Sequence, residues 1–128
     1  MVSQLRMIES YLTEIGNRES LSVRAAAEAR ASIEAVRSVT SSDMNDFLIP
    51  LGGGLSVQSS IARPKKLVVG IGAGITIEKD PEDAIAFVDE RIKELEKGLQ
   101  ELGSQQNELT KQYEATKAAI NSLASGKG

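Results

Sequence analysis

The residues that usually perform catalysis or hold metals are scarce in this chain of 128 residues. It contains no cysteine and no histidine, so thiolate nucleophiles, imidazole bases, disulfides and Cys/His metal sites are excluded. Most of the carboxylates fall on the surfaces of predicted helices, where solvation is their usual role. Since no nucleophile is paired with a base and no metal-ligand set is apparent, we expect neither an enzyme nor a bound cofactor or metal.

Two motifs resemble anion-binding sites, and both have a simpler interpretation. Gly70, Gly72 and Gly74 have the spacing of a dinucleotide-binding loop, but a strand follows them, whereas a phosphate-binding loop leads into a helix. The basic run at residues 63–66, Arg-Pro-Lys-Lys, lies between two predicted hairpins. We interpret it as a solvated loop; the alternative is contact with an acidic partner.

The charge distribution argues against a nucleic acid partner, and the lack of a long apolar stretch argues against a membrane. Residues 1–46 carry seven acidic and five basic side chains, residues 47–79 one and four, and residues 80–128 ten and six. Such acidic flanks and so few clustered bases do not neutralise phosphates. No stretch approaches the roughly twenty apolar residues of a membrane span. Because the sequence also shows no secretory signal, we expect a cytoplasmic protein.

Size and aromatic content favour a thin, elongated body. The length predicts one domain over residues 1–128, and the only aromatic residues are two tyrosines and two phenylalanines. So few large side chains make a deep core hard to build. The alternative is a small helical domain with an aliphatic core.

A duplicated, glycine-centred motif occupies the middle of the chain. Residues 49–58 read IPLGGGLSVQ and residues 69–78 read VGIGAGITIE, an offset of twenty. Apolar residues alternate around each centre, which predicts half-buried strands, and glycine accommodates the positive φ of a tight turn. We therefore predict two β-hairpins within about residues 47–79. The apolar positions of their strands are Ile49, Leu51, Leu55, Val57, Val69, Ile71, Ile75 and Ile77.

Heptad stripes flank the hairpins and predict helices over about residues 2–43 and 81–124. The first stripe is Leu5, Ile8, Leu12, Ile15, Glu19, Ser22, Ala26, Ala29, Ile33, Val36 and Thr40. The second is Ile85, Val88, Ile92, Leu95, Leu99, Leu102, Gln106, Leu109, Tyr113, Thr116, Ile120 and Leu123. This alternating spacing of three and four predicts a coiled coil. Asp80 and Pro81 mark the start of the second helix, and Gly16-Asn17 could bend the first.

The equal lengths of the helices favour antiparallel pairing with each other over pairing with another chain. In a register whose position numbers sum to 124 or 125, Glu19 lies opposite Gln106, and small residues lie opposite large ones. Residues 1–16 and 109–124 then share one end. The hairpins pose a separate problem, because isolated hairpins with free edges are marginal in water. We therefore expect oligomerisation through the β region.

This order of motifs resembles the alpha class of the prefoldin family, in its archaeal form. The residues that carry the resemblance are the paired glycine-centred hairpins, with Glu78-Lys79-Asp80 leading into the second long helix. The single-hairpin beta class lacks the duplication. The resemblance covers essentially the whole chain, which departs from the pattern at Gly16 and at residues 19–22, where the stripe is poor in apolar residues.

The resemblance implies an α+β fold, in which two central β-hairpins join a long antiparallel α-helical coiled coil and oligomerise into a β-barrel platform. It also implies a hexamer of two alpha and four beta prefoldin subunits. In that family the coiled-coil tips capture unfolded client proteins without ATP and deliver them to a group II chaperonin. The rival interpretation is a scaffolding coiled-coil protein that oligomerises through its β module.

The shared end of the helices supplies the predicted client-binding residues. They are Val2, Leu5, Met7, Ile8, Tyr11, Leu12, Tyr113, Ile120 and Leu123. Met7 and Tyr11 stand out because they lie about 80–120° from the centre of the stripe, so the seam does not explain them. Methionine and tyrosine make adaptable apolar contacts. The alternative is ordinary scatter of apolar residues on a surface.

Overall fold

The computed structural model describes residues 2–126. Met1, which also belongs to the apolar end predicted from the sequence, lies outside that range. Two long helices enclose four strands in chain order. The elements are α1 (Val2–Thr40), β1 (Met44–Gly52), β2 (Leu55–Ala62), β3 (Leu67–Gly72), β4 (Ile75–Lys79) and α2 (Pro81–Ala124).

Helix α1 ends earlier than the sequence predicts, at Thr40 rather than near residue 43. The side-chain amide of Asn45 donates to the carbonyl of Val39 at 2.7 Å and to that of Ser42 at 3.2 Å. The first bond satisfies a carbonyl that the end of the helix leaves unpaired, and both bonds connect the end of α1 to the start of β1. The first strand consequently begins at Met44, three residues before the predicted hairpin region. The helix itself continues without a break through Gly16.

Helix α2 has the predicted start at Pro81 and the predicted end near residue 124. Its first main-chain hydrogen bond joins the Ala84 N–H to the Asp80 carbonyl at 2.8 Å. The Asp80 carboxylate, expected to cap the helix, instead accepts a 2.6 Å hydrogen bond from the Lys66 ammonium. This bond raises the pKa of Lys66, and it ties the end of the β2–β3 link to the start of α2.

The four strands form two separate hairpins with the same irregularity. Strand β1 pairs antiparallel with β2, and β3 with β4. In each hairpin the register shifts just before the turn, which leaves Leu51 in one and Ile71 in the other without a cross-strand partner. The turns have positive φ at three consecutive residues, including Ala73 at 52°. The glycine run at 70–74 is therefore a hairpin turn, as the strand that follows it predicts.

The chain divides into two compact units, which we treat separately. The terminal unit comprises the helix segments up to Ala27 and from Lys93 onward, and the central unit comprises Glu28–Ile92. The single domain predicted from the sequence would require the two units to be joined into one body, and this stays a prediction. Both units have thin cores. The buried apolar residues are Ile8, Ile15, Ala26 and Leu102 in the terminal unit and Ile33, Ala84 and Ile92 in the central unit.

Burial along the helices follows the predicted heptad stripes closely. All eleven stripe positions of α1 are buried or half-buried, and ten of the twelve in α2 are. The exceptions are Gln106 and Leu123, both exposed. Within residues 2–126, Oε1 of Glu19 is buried without a hydrogen-bond partner. The polar pair expected across the seam thus forms no hydrogen bond, because the Gln106 side chain lies in solvent.

Candidate functional site

The two ends of the described chain lie side by side in the terminal unit. The hydroxyl of Tyr113 donates to Oε1 of Glu9 at 3.2 Å, a contact between residues 104 positions apart. Four residues of α1 within the range 4–11 and four residues of α2 within the range 109–116 line one open groove. The helix ends are therefore neighbours, as the antiparallel interpretation of the sequence requires.

We call this feature the terminal groove. It has a volume of about 390 Å³, and its lining residues are Gln4, Met7, Ile8, Tyr11, Leu109, Gln112, Ala115 and Thr116. None of these side chains is charged. The groove combines an apolar floor with a few neutral polar groups, the composition typical of a site that binds apolar ligands.

The structure distributes the predicted client-binding residues between the groove, the seam and the outer surface. Val2, Met7, Tyr11 and Leu123 are exposed, Leu5, Leu12, Tyr113 and Ile120 are half-buried, and Ile8 is buried. Of these nine, the groove lining includes Met7, Ile8 and Tyr11. Met7 and Tyr11 are the accessible members of the three, and both lie on the flank that the helical period assigned to them.

Sequence reasoning missed the two glutamines of the groove. Gln4 and Gln112 each directly precede a stripe position, on flanks that look like ordinary solvated surface. The flanks gave no charge signal, because Glu14 lies one turn beyond Tyr11 and Glu108 one turn before Gln112 on the same sides of the helices.

The opposite flank of the terminal unit carries the ionic contacts. Glu9 lies about 160–200° around α1 from Met7 and Tyr11, and it accepts the Tyr113 hydrogen bond. That bond, followed by the negative charge of Glu9, raises the pKa of the Tyr113 hydroxyl. The ammonium of Lys117 lies 6.0 Å from the centre of the Tyr113 ring, near the limit for a cation–π contact. Charged groups therefore contact Tyr113 on the side of α1 away from Met7 and Tyr11.

A second apolar surface lies in the central unit, on the hairpins. Seven of the eight predicted oligomerisation residues are exposed, and the eighth, Val69, is half-buried. Leu48 is 67% exposed and Val68 is 69% exposed. Each points to the face of its hairpin opposite the predicted oligomerisation residues. The sequence pattern placed the apolar residues on one face only. Each hairpin thus presents apolar side chains on both faces.

The hairpins also contact the helix segments of their own unit. An open apolar groove of about 410 Å³ is lined by Ala35, Val36, Val39, Phe47, Leu48, Ile49, Pro50 and Ile61. On the second hairpin, the Arg91 guanidinium donates to the Gly70 carbonyl at 3.4 Å and lies 4.7 Å from the centre of the Phe87 ring. Arg91 thereby holds β3 against the first turns of α2.

Neither a metal site nor a membrane-spanning helix is present in the described part of the chain. Within residues 2–126 no group of acidic side chains could hold a metal ion. None of the helices in that range has a stretch long and apolar enough to cross a membrane. The two apolar surfaces are therefore the candidate functional regions.

Comparison with known proteins identifies the family. The family model described as Prefoldin subunit matches residues 6–125. The chain belongs to the prefoldin subunit family. Prefoldin subunits act as chaperone components and assemble with other prefoldin subunits into oligomers.

Archaeal relatives are similar over nearly the full length. A protein named Prefoldin subunit alpha from Nitrosopumilus maritimus is 33% identical over 123 residues, covering 96% of this chain and 85% of the relative. Another of the same name, from Methanocorpusculum labreanum, is 31% identical over 130 residues, covering 95% and 88%. These matches confirm the resemblance to the archaeal alpha class of prefoldin.

A solved prefoldin-family structure has the same fold. The cryo-EM structure of filamentous PFD from Methanocaldococcus jannaschii aligns with a TM-score of 0.81, covering 93% of this chain and 99% of that one, at 21% sequence identity. This similarity confirms the predicted prefoldin fold of long helices with two small hairpins.

Proposed function

We propose that this chain is the alpha subunit of an ATP-independent holdase, which captures non-native polypeptides at the terminal groove. The subunit joins beta prefoldin subunits, two alpha with four beta, through its hairpins. The complex works in the cytoplasm and delivers its clients to a group II chaperonin. The single observation that carries the proposal is an open, uncharged apolar groove at the paired helix ends of a prefoldin-family chain.

The groove has the properties that weak, unselective capture requires. Met7 and Tyr11 are about half exposed, so a client can still cover apolar area there. Methionine adapts to differently shaped partners, and tyrosine adds apolar area with a polar end. Such surfaces bind many partners rather than one.

The hairpins have the properties of an assembly surface. Each forms a two-stranded sheet with two free edges, a state that is marginal in water without further packing. Their exposed apolar side chains would be covered by strands of other subunits. Leu55 in one hairpin is 67% exposed and Ile75 in the other is 56% exposed. These two residues therefore provide the most direct test of assembly through the hairpins.

An aggregation assay tests the capture step. We expect the complex of this chain with its beta partner to suppress aggregation of a denatured client at near-stoichiometric ratio, with and without ATP. A version of the chain lacking residues 1–8 and 117–128 should form a complex of the same subunit composition and lose this protection. Full protection by the shortened chain would contradict the assigned site, and no protection by the intact complex would favour a scaffolding role.

Mass and transfer measurements test assembly and delivery. The mixture of this chain with a beta subunit should have the mass of a hexamer, and Leu55→Asp with Ile75→Asp should prevent its formation because strand packing would bury two charges. Client released from the complex should refold only when a group II chaperonin and ATP are added. A hexamer formed by the doubly charged variant would contradict assembly through the hairpins.

A further inference from the structure

Two glutamine amides lie in the lining of the terminal groove, one from each helix. Gln4 belongs to α1 and Gln112 to α2, and both residues are exposed. Among the described residues neither side chain has a hydrogen-bond partner. Each amide offers two N–H donors and one carbonyl acceptor, so four donors and two acceptors are available to a bound ligand.

The neutral character of these groups indicates what they recognise. A charged lining would select clients of opposite charge, whereas side-chain amides pair equally well with N–H donors and C=O acceptors. Every polypeptide carries both groups on its main chain. In a helix these groups are already paired within the segment, while in an extended, unpaired segment they are free.

The spacing of the amides also suits an extended segment. The Glu9–Tyr113 hydrogen bond joins two long side chains, so it places Gln112 level with residue 10 to within about one helical turn. Gln4 is six positions away along α1, which corresponds to about 9 Å at 1.5 Å per residue. An extended chain covers that distance in about three residues. A segment of this length can reach both amides while an apolar side chain enters the groove between them.

We propose that the terminal groove binds clients as extended segments, whose main-chain groups hydrogen-bond to Gln4 and Gln112 while one apolar side chain contacts Met7 and Tyr11. The proposal rests on the client-binding function proposed above and specifies the conformation recognised. The contacts with Met7 and Tyr11 attract any apolar segment. The amides discriminate in favour of segments whose backbone is unpaired.

Peptide binding tests the role of the backbone. The probes are a short, unstructured, uncharged apolar peptide and the same peptide with two main-chain amides replaced by esters, which removes two N–H donors at nearly constant shape. We expect the wild-type chain to bind the amide peptide roughly threefold to tenfold more tightly than the ester peptide. The double variant Gln4→Met and Gln112→Met should bind both peptides with equal affinity. Methionine is a good helix former, so unchanged helicity by circular dichroism controls for folding.

A matched control and three results decide the outcome. Gln105 is an exposed glutamine of α2 outside the groove lining, and Gln105→Met should keep the wild-type preference. Equal binding of both peptides by the wild type, or loss of the preference in the Gln105 variant, would overturn the backbone proposal alone. Equal or tighter binding of the same peptide locked as a helix would overturn it as well. If the wild type binds neither peptide, the client-binding function itself is refuted.

Discussion

Truncating the two accessible apolar side chains of the terminal groove should weaken client binding strongly without unfolding the chain. The change is Met7→Ala together with Tyr11→Ala. Burying such side chains fully contributes about 1.5–3 kcal/mol each. Since Met7 is 56% exposed and Tyr11 49%, a client that covers the exposed part recovers about half of this, or about 1 kcal/mol each.

The expected loss follows from those two contributions. Together they amount to about 2 kcal/mol, which corresponds to a roughly thirtyfold higher Kd. The two residues are one helical turn apart, so coupling between them can shift this sum by several tenths of a kcal/mol. Alanine is the best helix former, so α1 should keep its helicity. The assay is fluorescence anisotropy of a labelled apolar peptide, with circular dichroism on the same samples.

Leu21 provides the matched control for this prediction. It lies on the same helix, in the same unit, and is 64% exposed, more than either groove residue, but it does not line the groove. Leu21→Ala should therefore leave the Kd within about twofold of the wild type. If it weakens binding as much as the groove variant does, or if the groove variant binds normally, client capture does not depend on this groove.

Three further predictions concern the seam, the terminal hydrogen bond and the turns. Ile15, only 5% exposed, should cost about 2–4 kcal/mol of stability when changed to alanine, and a thermal unfolding shift below about 1 °C would contradict its place in the core. The pKa of Tyr113 is raised by Glu9, so Glu9→Ala should let the phenol ionise at lower pH in an ultraviolet titration. The hydrogen bond stabilises the folded state at pH values below the pKa of an unfolded tyrosine, about 10. This stabilisation is lost as the pH rises through the higher pKa of the folded state. An unchanged titration would refute the contact. Gly53 has a φ of 60°, and Ala73, its counterpart in the second turn, has a φ of 52°. Gly53→Ala should therefore permit assembly, whereas Gly53→Val should impair it because a β-branched residue rarely adopts positive φ. Equal hexamer yields from the two variants would contradict this reasoning.

The long helices and the hairpins were predictable because burial in them has a regular period. A stripe repeating every three and four residues identifies the buried face of a helix wherever its partner lies, and Ile8, Ile15 and Ile33 are all buried as predicted. The glycine-centred repeat gave both turns for a similar local reason. At those positions only residues that tolerate positive φ fit, and Gly72 and Gly74 supply it.

The features that could not be predicted are of two kinds. Some depend on contacts of side chains with distant parts of the sequence, and others involve exposed polar side chains that look like ordinary surface. At the end of α1, the Asn45 amide of the first strand donates to the Val39 carbonyl, and the Asp80 carboxylate accepts a hydrogen bond from Lys66. Neither contact leaves a periodic signal. Gln4 and Gln112 were missed because an exposed glutamine on a helix is usually only solvated.

Apolar side chains on both faces of each hairpin have a consequence for how the cell must produce this protein. Any copy made in excess of its partners exposes unpaired strand edges and apolar side chains, features that unfolded chains also expose. If strands of other subunits cover these surfaces, as proposed, this chain needs its partners in matching amounts.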